Sequence, residues 1–391
     1  MKSVIFANLF FLIILALCSS WRVYEMWNIN LDDNLRRIEG IIFSHPYIKD
    51  GLQTIRLKDS IVKTEIFPSY KSGDYIVVEG KSKNSKVFYY PKINIVEDKS
   101  IKLMRFISDF RGGMVKRIQK NYPEPQAGLI LGMTIGYKED FPEKFVDLLR
   151  KTGTIHIIVV SGYNISLVLT FVSIIVSKLG KNVFFVASLI FVLLYLSLVG
   201  LDPPVIRASF MGIVNAFAIL TGRYKLSMYV LLLSFMSLLI VNPEYIVDLG
   251  FQMSFIATFA VILVGNVTRK FGAFVSTIFV VTGVNLFLYP VLSNSFGYIS
   301  IASIFVNLLI FWIVPFVTVL GFLSMIFGSF VVKIFLISLI DYYLVISEIF
   351  YKNEFASISM VFGPVLIIIY YLIIFLFLRI LYLFNSDLDE N

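Results

Sequence analysis

Polar side chains interrupt an apolar segment at residues 152–168, which reads TGTIHIIVVSGYNISLV. The members that could do chemistry are His156, Ser161, Tyr163 and Asn164. An ionisable or hydrogen-bonding side chain is costly in lipid, so such residues usually face a protein interior or a water-filled pathway. Polar contacts between packed membrane helices are the alternative explanation. The segment is therefore the strongest indicator of function in the chain, and both packing and pathway remain open.

The spacing inside this segment allows two kinds of chemistry. On a continuous helix His156 and Tyr163 share a face, because they are seven residues apart. Gly162 could permit a break that brings His156 beside Ser161, where the pair could act as base and nucleophile. The chain reads VVSGY around Ser161, however, and lacks the first glycine of the G-x-S-x-G elbow. An intramembrane hydrolase is therefore only the third hypothesis.

Further polar residues occur at predicted helix ends and inside later apolar segments. Asp202 is followed by two prolines, the pattern of a helix start. Arg207 follows Asp202 by five residues. It either pairs with Asp202 at the membrane surface, where a pathway would open, or presents positive charge to a polyanion. Asp248 and Gln252 share a helix face because they are four apart. The candidate pathway residues are His156, Ser161, Tyr163, Asn164, Asp202, Arg207, Asp248, Gln252, Asn285 and Asn307, of which the last two either line a cavity or join helices.

Composition indicates a polytopic membrane protein. The mean hydropathy is +0.84 and 58% of the residues are hydrophobic, whereas only 15% are charged. The net charge is +8, and residues 21–125 carry 19 Lys and Arg against 13 Asp and Glu. Such an excess favours anionic lipid or nucleic acid as a neighbour, and charge alone favours lipid. The single cysteine, Cys18, cannot form an intrachain disulfide.

Apolar segments long enough to cross a bilayer occur throughout the second half of the chain. Residues 1–20 predict an additional, retained transmembrane helix, and residues 126–150 predict shorter elements lying along the surface. The stretch 299–327 is too long for one straight crossing and contains Pro315, which predicts a broken or re-entrant element. The predicted spans are 154–176, 183–199, 205–220, 227–241, 247–267, 274–292, 299–327, 361–383 and, with an amphipathic pattern, 333–351.

Loop charge predicts the orientation of these spans. Lys and Arg occur in the loops at 178–181, 223–225 and 269–270, whereas the intervening loops carry neither. Under the positive-inside rule the basic loops are cytoplasmic. The N-terminus is then cytoplasmic and residues 35–97 lie outside the membrane on the opposite side.

Residues 35–97 differ from the rest of the chain in being polar and β-branched. Five short strands separated by turn residues are predicted there, which suits a small OB-like β-barrel. Pro91 interrupts the last predicted strand. Aromatic side chains in this domain either fill its core or stack on the bases of a single strand.

Residues 99–122 predict a basic amphipathic helix, with one acid, Asp109, among its charged residues. The favoured interpretation is a helix in the membrane interface, and the alternative is a contact with nucleic acid. Gly112 and Gly113 suggest that the helix is broken in two. The candidate DNA-binding residues are Lys99, Lys102, Arg105, Arg111, Lys116, Arg117 and Lys120.

Several catalytic motifs are missing from the sequence. It contains no G-x-x-x-x-G-K-[ST] phosphate loop, no H-E-x-x-H pair and no Cys/His cluster. These omissions argue against an ATPase of the phosphate-loop type and against a zinc enzyme. No catalytic residue, metal ion or cofactor is expected.

Four segments in the order of the chain resemble the ComEC family of bacterial competence proteins. TGTIHIIVVSGYNISLV resembles its H-L-x-x-x-S-G-L-H-V signature, and LDPPVIRASFMGIV resembles its R-A-x-x-M segment. NPEYIVDLGFQMSFIATFAVIL is similar to D-P-x-x-x-x-D-x-G-F-Q-L-S-F-x-A-T, and ISIASIFVNLLIFWIVPFVTVLG is similar to N-L-L-x-x-P. The resemblance covers residues 127–323 well and extends the predicted channel domain over 126–385.

The resemblance implies an inner-membrane channel that admits one DNA strand during natural transformation. The residues at motif positions would then lie on or near the pathway, with the β domain receiving DNA outside. Tyr163 and Asn164 stand where the family often has Leu and His, which weakens a proton-based role there. The motif positions are occupied by His156, Ser161, Arg207, Asp248 and Gln252.

The resemblance also implies partners. Many members carry a metallo-β-lactamase-like nuclease domain after the channel, and the 391 residues end soon after the last predicted span, so we expect a short form. Single-stranded DNA and membrane lipid are then the direct partners, with a separate DNA receptor, nuclease and cytoplasmic ATPase motor. A transporter of another small polar or lipid-linked substrate is the second hypothesis. The predicted fold class is a polytopic α-helical integral membrane protein with a small all-β, OB-like extracytoplasmic domain.

Overall fold

The computed structural model describes residues 19–20, 35–49, 51–57, 60–83, 87–137, 141–158, 162–222, 227–352 and 357–387. It contains a bundle of apolar helices preceded by a small β domain, which confirms the predicted fold class. The predicted N-terminal helix at 1–20 lies outside the described residues, apart from Ser19 and Ser20, which are helical.

The β domain is a seven-stranded sheet with the order β1-β5-β6-β4-β3-β2, and β7 pairs with β5. β4 and β6 are parallel, whereas the other neighbours are antiparallel. The sheet curves around a core that includes Ile55, Val62 and Phe88, and it is an open barrel, since the described part of β1 forms no ladder with β3. The strands are β1 (Leu35–Ile41), β2 (Tyr47–Lys49), β3 (Leu52–Leu57), β4 (Ser60–Thr64), β5 (Tyr75–Lys83), β6 (Val87–Tyr89) and β7 (Lys92–Ile95).

The last strand predicted from the sequence is divided at Pro91, as expected from its missing N–H. Tyr90 adopts a left-handed backbone conformation with φ of 49°, which ends β6 and lets β7 return along β5. Tyr70 and Phe88 are buried in the core, whereas Phe67, Tyr89 and Tyr90 are exposed. Tyr70 and Phe88 therefore fill the core, and base stacking by the exposed aromatic side chains stays a prediction.

One continuous helix, α1 (Lys102–Asn121), connects the β domain to the helical bundle. The break predicted at Gly112 and Gly113 is wrong. Both glycines face open space, and the penalty of about 1 kcal/mol for each is outweighed by a buried stripe on the opposite face. The buried stripe consists of Arg111, Met114, Val115 and Ile118.

Both ends of α1 are held by charged side chains. Arg105 Nε donates to Oδ1 of the buried Asp74 in the β domain at 2.6 Å. Near the other end, Arg117 Nη1 donates to the carbonyl oxygen of Met325 at 2.7 Å. Between them, Phe106 and Phe110 are exposed beside the lysines, the pattern expected of a helix at a membrane interface.

The helical bundle contains thirteen further described helices. Seven segments are long and apolar enough to cross a membrane, namely Lys181–Val199, Pro203–Thr221, Leu249–Phe271, Ala273–Phe296, Ala302–Phe327, Phe330–Tyr351 and Pro364–Leu383. The helices are α2 (Gln126–Ile135), α3 (Glu143–Lys151), α4 (Ile155–Ile158), α5 (Gly162–Val176), α6 (Lys181–Val199), α7 (Pro203–Thr221), α8 (Ser227–Val241), α9 (Leu249–Thr268), α10 (Ala273–Phe296), α11 (Ala302–Ile310), α12 (Val314–Phe327), α13 (Phe330–Tyr351) and α14 (Pro364–Asp387). A two-stranded sheet of β8 (Tyr298–Ser300) and β9 (Ser357–Ser359) joins two of the loops.

The short helix α2 lies at the centre of the bundle, not along its surface as predicted. Every residue from Ala127 to Ile135 is buried. Close approach of neighbouring backbones explains this, because a Cβ at Gly132 would lie 2.5 Å from the carbonyl oxygen of Ile158. Small residues permit such contacts between membrane helices.

The stretch predicted to be broken contains two helices. α11 ends at Ile310, a short 3-10 turn covers Phe311–Ile313, and α12 begins at Val314 with Pro315 in its first turn. Proline is tolerated there because the first N–H groups of a helix have no intrahelical acceptor. The predicted break is therefore confirmed.

Candidate functional site

The segment singled out in the sequence consists of two helices with a break between them. α4 ends at Ile158 and α5 begins at Gly162. Ser161 lies outside the described residues, and with it the geometry of a His156–Ser161 pair. Gly162 allows a close approach, because a Cβ there would lie 2.5 Å from Arg207 Nη2.

Arg207 is the charged side chain nearest this break. It lies on the second turn of α7 and is only 7% exposed. Its Nε donates to Ser254 Oγ of α9 at 2.7 Å, and its Nη1 lies 3.4 Å from the sulfur of Met211. The guanidinium carbon lies 5.8 Å from the centroid of the Phe255 ring.

These contacts leave the charge of Arg207 without a counter-ion. Among the described residues, no carboxylate lies within 4 Å of it. The alternative in which Asp202 pairs with Arg207 is wrong, because Asp202 points to the β domain and lies 3.7 Å from Arg56. A buried cation that has no carboxylate beside it is costly.

Other polar residues of the segment make packing contacts. Asn164 Nδ2 donates to the carbonyl oxygen of Met133 in α2 at 2.8 Å. The Tyr163 ring packs against Phe311, with centroids 5.7 Å apart. In the described residues these contacts favour the packing explanation for Asn164 and Tyr163. A pathway role for these two residues and for His156 stays a prediction.

Two more pairs of candidates have local partners. Asp248 caps α9 by accepting from the Phe251 N–H at 2.8 Å, and Gln252 Nε2 donates to the carbonyl oxygen of Ile246 at 2.8 Å. Asn307 Nδ2 donates to Asn285 Oδ1 at 3.0 Å and joins α11 to α10. These contacts hold the helices together, and a pathway role for the four residues stays a prediction.

The β domain rests on the loop between α6 and α7, where Asp202 occupies the predicted cap position of α7. His45 Nε2 donates to the carbonyl oxygen of Ser197 at 3.1 Å, and Arg56 lies beside Asp202. Arg111 of α1 completes this junction, because its Nη2 donates to the carbonyl oxygen of Ile135 at 3.4 Å. The β domain and the α6–α7 loop therefore lie at the same end of the bundle, which agrees with the loop-charge prediction.

Protonation of His45 should weaken this junction. Burial, assisted by the nearby positive charge of Arg111, lowers the pKa of His45 from 6.5 to about 4. Between those pH values the unfolded chain binds more protons than the folded chain. The contribution of neutral His45 to the free energy of unfolding is therefore fully present above about pH 6.5 and decreases as the pH falls toward 4. We expect the melting temperature of the purified protein to fall over that interval, and the fall to be smaller in His45→Gln.

The control for this experiment is Lys102→Gln, which likewise replaces one side chain with glutamine but removes an exposed cation that is not at this junction. It should show the same pH dependence as the wild type. Identical pH profiles for His45→Gln and the wild type would contradict the assignment, because carboxylates elsewhere would then account for the whole effect.

The basic residues predicted to bind DNA occupy four kinds of environment. Three are exposed on α1, two make intramolecular bonds, one lies over an aromatic ring and one is buried. The exposed residues are Lys102, Lys116 and Lys120; Arg105 and Arg117 bond to Asp74 and Met325; Lys99 lies 4.9 Å from the Tyr75 centroid; and Arg111 is buried. Their predicted contact with DNA is not tested by these positions.

Sequence reasoning missed the partners of the two buried arginines. No motif identified Ser254 as the partner of Arg207 or the Ile135 carbonyl oxygen as that of Arg111. Arg56 and His45, which join the β domain to the bundle, also had no local signal. Arg56 and Asp202 are too far apart in the chain for any motif to connect them. Among the described residues, no group of three or more His, Cys, Asp or Glu side chains is placed to hold a metal ion.

Comparison with protein families gives a match over most of the helical bundle. The competence protein family matches residues 133–384, which is more than half of the chain and includes α4, α5 and Arg207. The chain belongs to the competence protein family. The family match and the apolar helices together establish a multi-pass membrane protein.

Individual relatives of this competence protein are similar over shorter stretches. ComE operon protein 3 of Bacillus subtilis is 28% identical over 200 residues, which cover 50% of this chain and 25% of the relative. A protein of Aquifex aeolicus is 28% identical over 43% of this chain and 46% of its own length, and YcaI of Escherichia coli is 25% identical over 50% and 28%. The matched stretches thus span less than half of each relative. No solved structure matches.

Proposed function

We propose that this competence protein conducts single-stranded DNA through the bacterial inner membrane during natural transformation. Its membership of the competence protein family supports a role in DNA uptake. The N-terminus is then cytoplasmic and the β domain lies outside the cell membrane, as the distribution of basic loops indicates.

The observation that carries the proposal is the environment of Arg207. A DNA strand brings one negative charge for each phosphate, and a wholly apolar bundle would exclude it. Arg207 provides a desolvated positive charge where α5, α7 and α9 meet, beside the break between α4 and α5. The described residues offer this charge no carboxylate, so a passing phosphate has no internal anion to displace.

The β domain and α1 form the entrance to the channel in this proposal. The β domain and α1 carry much of the basic excess of the chain, which attracts DNA and anionic lipid to this end of the bundle. The exposed phenylalanines of α1 favour insertion into the lipid surface beside the entrance. We expect a cytoplasmic ATPase motor to act with the channel, since the sequence contains no phosphate-loop motif. A separate DNA receptor and a nuclease are the other partners that we expect.

Uptake of labelled DNA in cells lacking the gene tests the proposal. We expect nuclease-protected DNA to be lost in those cells and to be restored by the wild-type gene. Lys181→Ala, which removes an exposed cation at the opposite end of α6, should restore uptake as well as the wild type does. Uptake that never depends on the gene would remove the DNA channel and make a transporter of another substrate the first hypothesis.

A further inference from the structure

A cleft that is partly open to solvent lies between the β domain and the helical bundle. Its walls come from four parts of the chain: the β domain, α1, the two residues that follow α2 and the α6–α7 loop. Two arginines line it, Arg56 from β3 and Arg111 from α1, with the carboxylate of Asp202 facing them. His45 also lines the cleft, and its lowered pKa makes it neutral at pH 7.

Arg111 is a buried cation with unused hydrogen-bonding capacity. The residue is only 8% exposed, and its Nε has no hydrogen-bond partner among the described residues. The bond from Nη2 to the Ile135 carbonyl oxygen is long, at 3.4 Å, and the guanidinium carbon lies 5.6 Å from the centroid of the Tyr137 ring. No described carboxylate lies within 4 Å of it. Burial lowers the pKa of Arg111 to about 10, so the side chain is still charged at neutral pH.

Arg56 is held only weakly by Asp202. The closest approach of their charged atoms is 3.7 Å, and the side chains are 42% and 29% exposed. Exposed ion pairs of this kind contribute between zero and about 1 kcal/mol, so a better acceptor can replace the carboxylate. A phosphodiester is such an acceptor, because its two charged oxygens match the paired N–H groups of guanidinium.

We infer that this cleft binds a phosphodiester of the entering strand, with Arg111 and Arg56 donating to its oxygens and Asp202 released from Arg56. The inference rests on the proposed function and adds a defined phosphate site to it. Asp202 begins α7 and Arg207 lies five residues on, about 7.5 Å along the helix axis. A strand held in the cleft is therefore led toward Arg207.

Two features favour nucleic acid over a lipid headgroup as the occupant. Ser44, His45 and Tyr47 of the β domain form one wall, so the cleft opens between two parts of the protein and not only along the apolar helices. A headgroup tethered to the bilayer would approach from the helical side, whereas a strand that passes the β domain meets Arg56 and Arg111 together.

Oligonucleotide binding by the purified full chain tests the inference. The probes are a fluorescent oligothymidylate of about 12 nucleotides, within the site size of one OB-type module, and an abasic strand with the same phosphates. Loss of a charge-assisted hydrogen bond should make Arg111→Gln bind both probes about ten-fold or more weakly. It should also lower the slope of log affinity against log salt concentration by about 0.7. Lys181→Gln is the control, since it removes an exposed charge from the end of α6 that lies away from the cleft, and Lys181 is not among the candidate DNA-binding residues.

Asp202→Asn supplies a second test with the opposite sign. It removes the competing carboxylate and keeps a residue suited to a helix cap, so both probes should bind more tightly. Arg111→Lys keeps the charge and covers the case in which Arg111→Gln does not fold. Equal binding by Arg111→Gln and Lys181→Gln, or unchanged binding by Asp202→Asn, would overturn the inference.

The same measurements in nanodiscs of phosphatidylcholine or phosphatidylglycerol separate the two sources of phosphate. Loss of the Arg111 dependence in phosphatidylglycerol alone would assign the cleft to a lipid headgroup and overturn the nucleic-acid assignment. Failure of the proposed function is distinguishable, because it appears as gene-independent uptake in cells, whereas this inference is decided by binding in vitro.

Discussion

Arg207→Met is expected to abolish DNA uptake while leaving the protein at least as stable as the wild type. Methionine has a similar length and can fill the space between Gly162 and Phe255. It removes a buried charge that has no described counter-ion, and replacing buried ionic groups with apolar ones is often neutral or stabilising by about 1–4 kcal/mol. The pathway, however, loses its desolvated cation, and an added barrier of about 3 kcal/mol slows passage about 100-fold.

Two measurements on the same variant make this prediction sharp. Nuclease-protected uptake is measured in cells lacking the chromosomal gene, and the melting temperature is measured on the purified protein. Met211→Leu, which alters a neighbour of the guanidinium without altering charge, should keep both close to wild type. Arg207→Lys should retain part of the uptake. A large drop in melting temperature for Arg207→Met would show that Arg207 is there for folding and would remove the main support for the pathway.

Gly153→Ala is expected to destabilise the fold by about 2–5 kcal/mol. Gly153 connects α3 to α4 with a φ of +70°, a region that costs about 1–2 kcal/mol for a residue with a Cβ. The added Cβ would also lie well inside van der Waals contact with Ser303 Cβ and 3.3 Å from Ser303 Cα. Overpacking of this kind typically costs about 1–3 kcal/mol more.

Matched glycines separate the two contributions. Gly222 has a φ of +67° and no atom within 4 Å of a Cβ placed on it, so Gly222→Ala should show the conformational cost alone. Gly113 is helical and faces open space, so Gly113→Ala should stabilise by about 1 kcal/mol. Denaturation of the purified variants in one detergent provides the comparison. A Gly153→Ala value close to that of Gly222→Ala would mean that Ser303 can move aside.

The position of Gly153 connects this stability effect to function. It lies where α3, α4, α11 and α13 meet: Thr154 next to it accepts from Tyr343 OH at 2.9 Å, and Ser300 Oγ donates to the carbonyl oxygen of Lys151 at 2.5 Å. The segment that carries His156 is therefore held from both sides at its start. A variant that disturbs this junction should lose uptake in proportion to the loss of folded protein.

The sequence by itself determined the membrane class, most of the helix positions and the family. Long apolar segments, the prolines after Asp202 and at 315, and the alternation of basic loops are local signals, and each depends on a few neighbouring residues. Four motifs in the correct order pointed to competence proteins, and the family match over 133–384 agrees with them. Arg207 was recognisable as a candidate because a charge in an apolar helix is unusual in any fold.

Only the tertiary structure decided what each polar residue contacts. Asn164, Asn285 and Asn307 make packing contacts, whereas Arg207 is left without a described counter-ion, although all four are polar residues in apolar segments. The predicted surface position of α2 is wrong, because glycine lets neighbouring backbones approach it closely. The predicted break in α1 is wrong, because packing of its buried face outweighs the low helix propensity of its two glycines. The cleft with Arg56 and Arg111 had no sequence signal, since its walls come from residues far apart in the chain. Whether a charge finds a partner depends on such long-range packing, and local sequence cannot specify it.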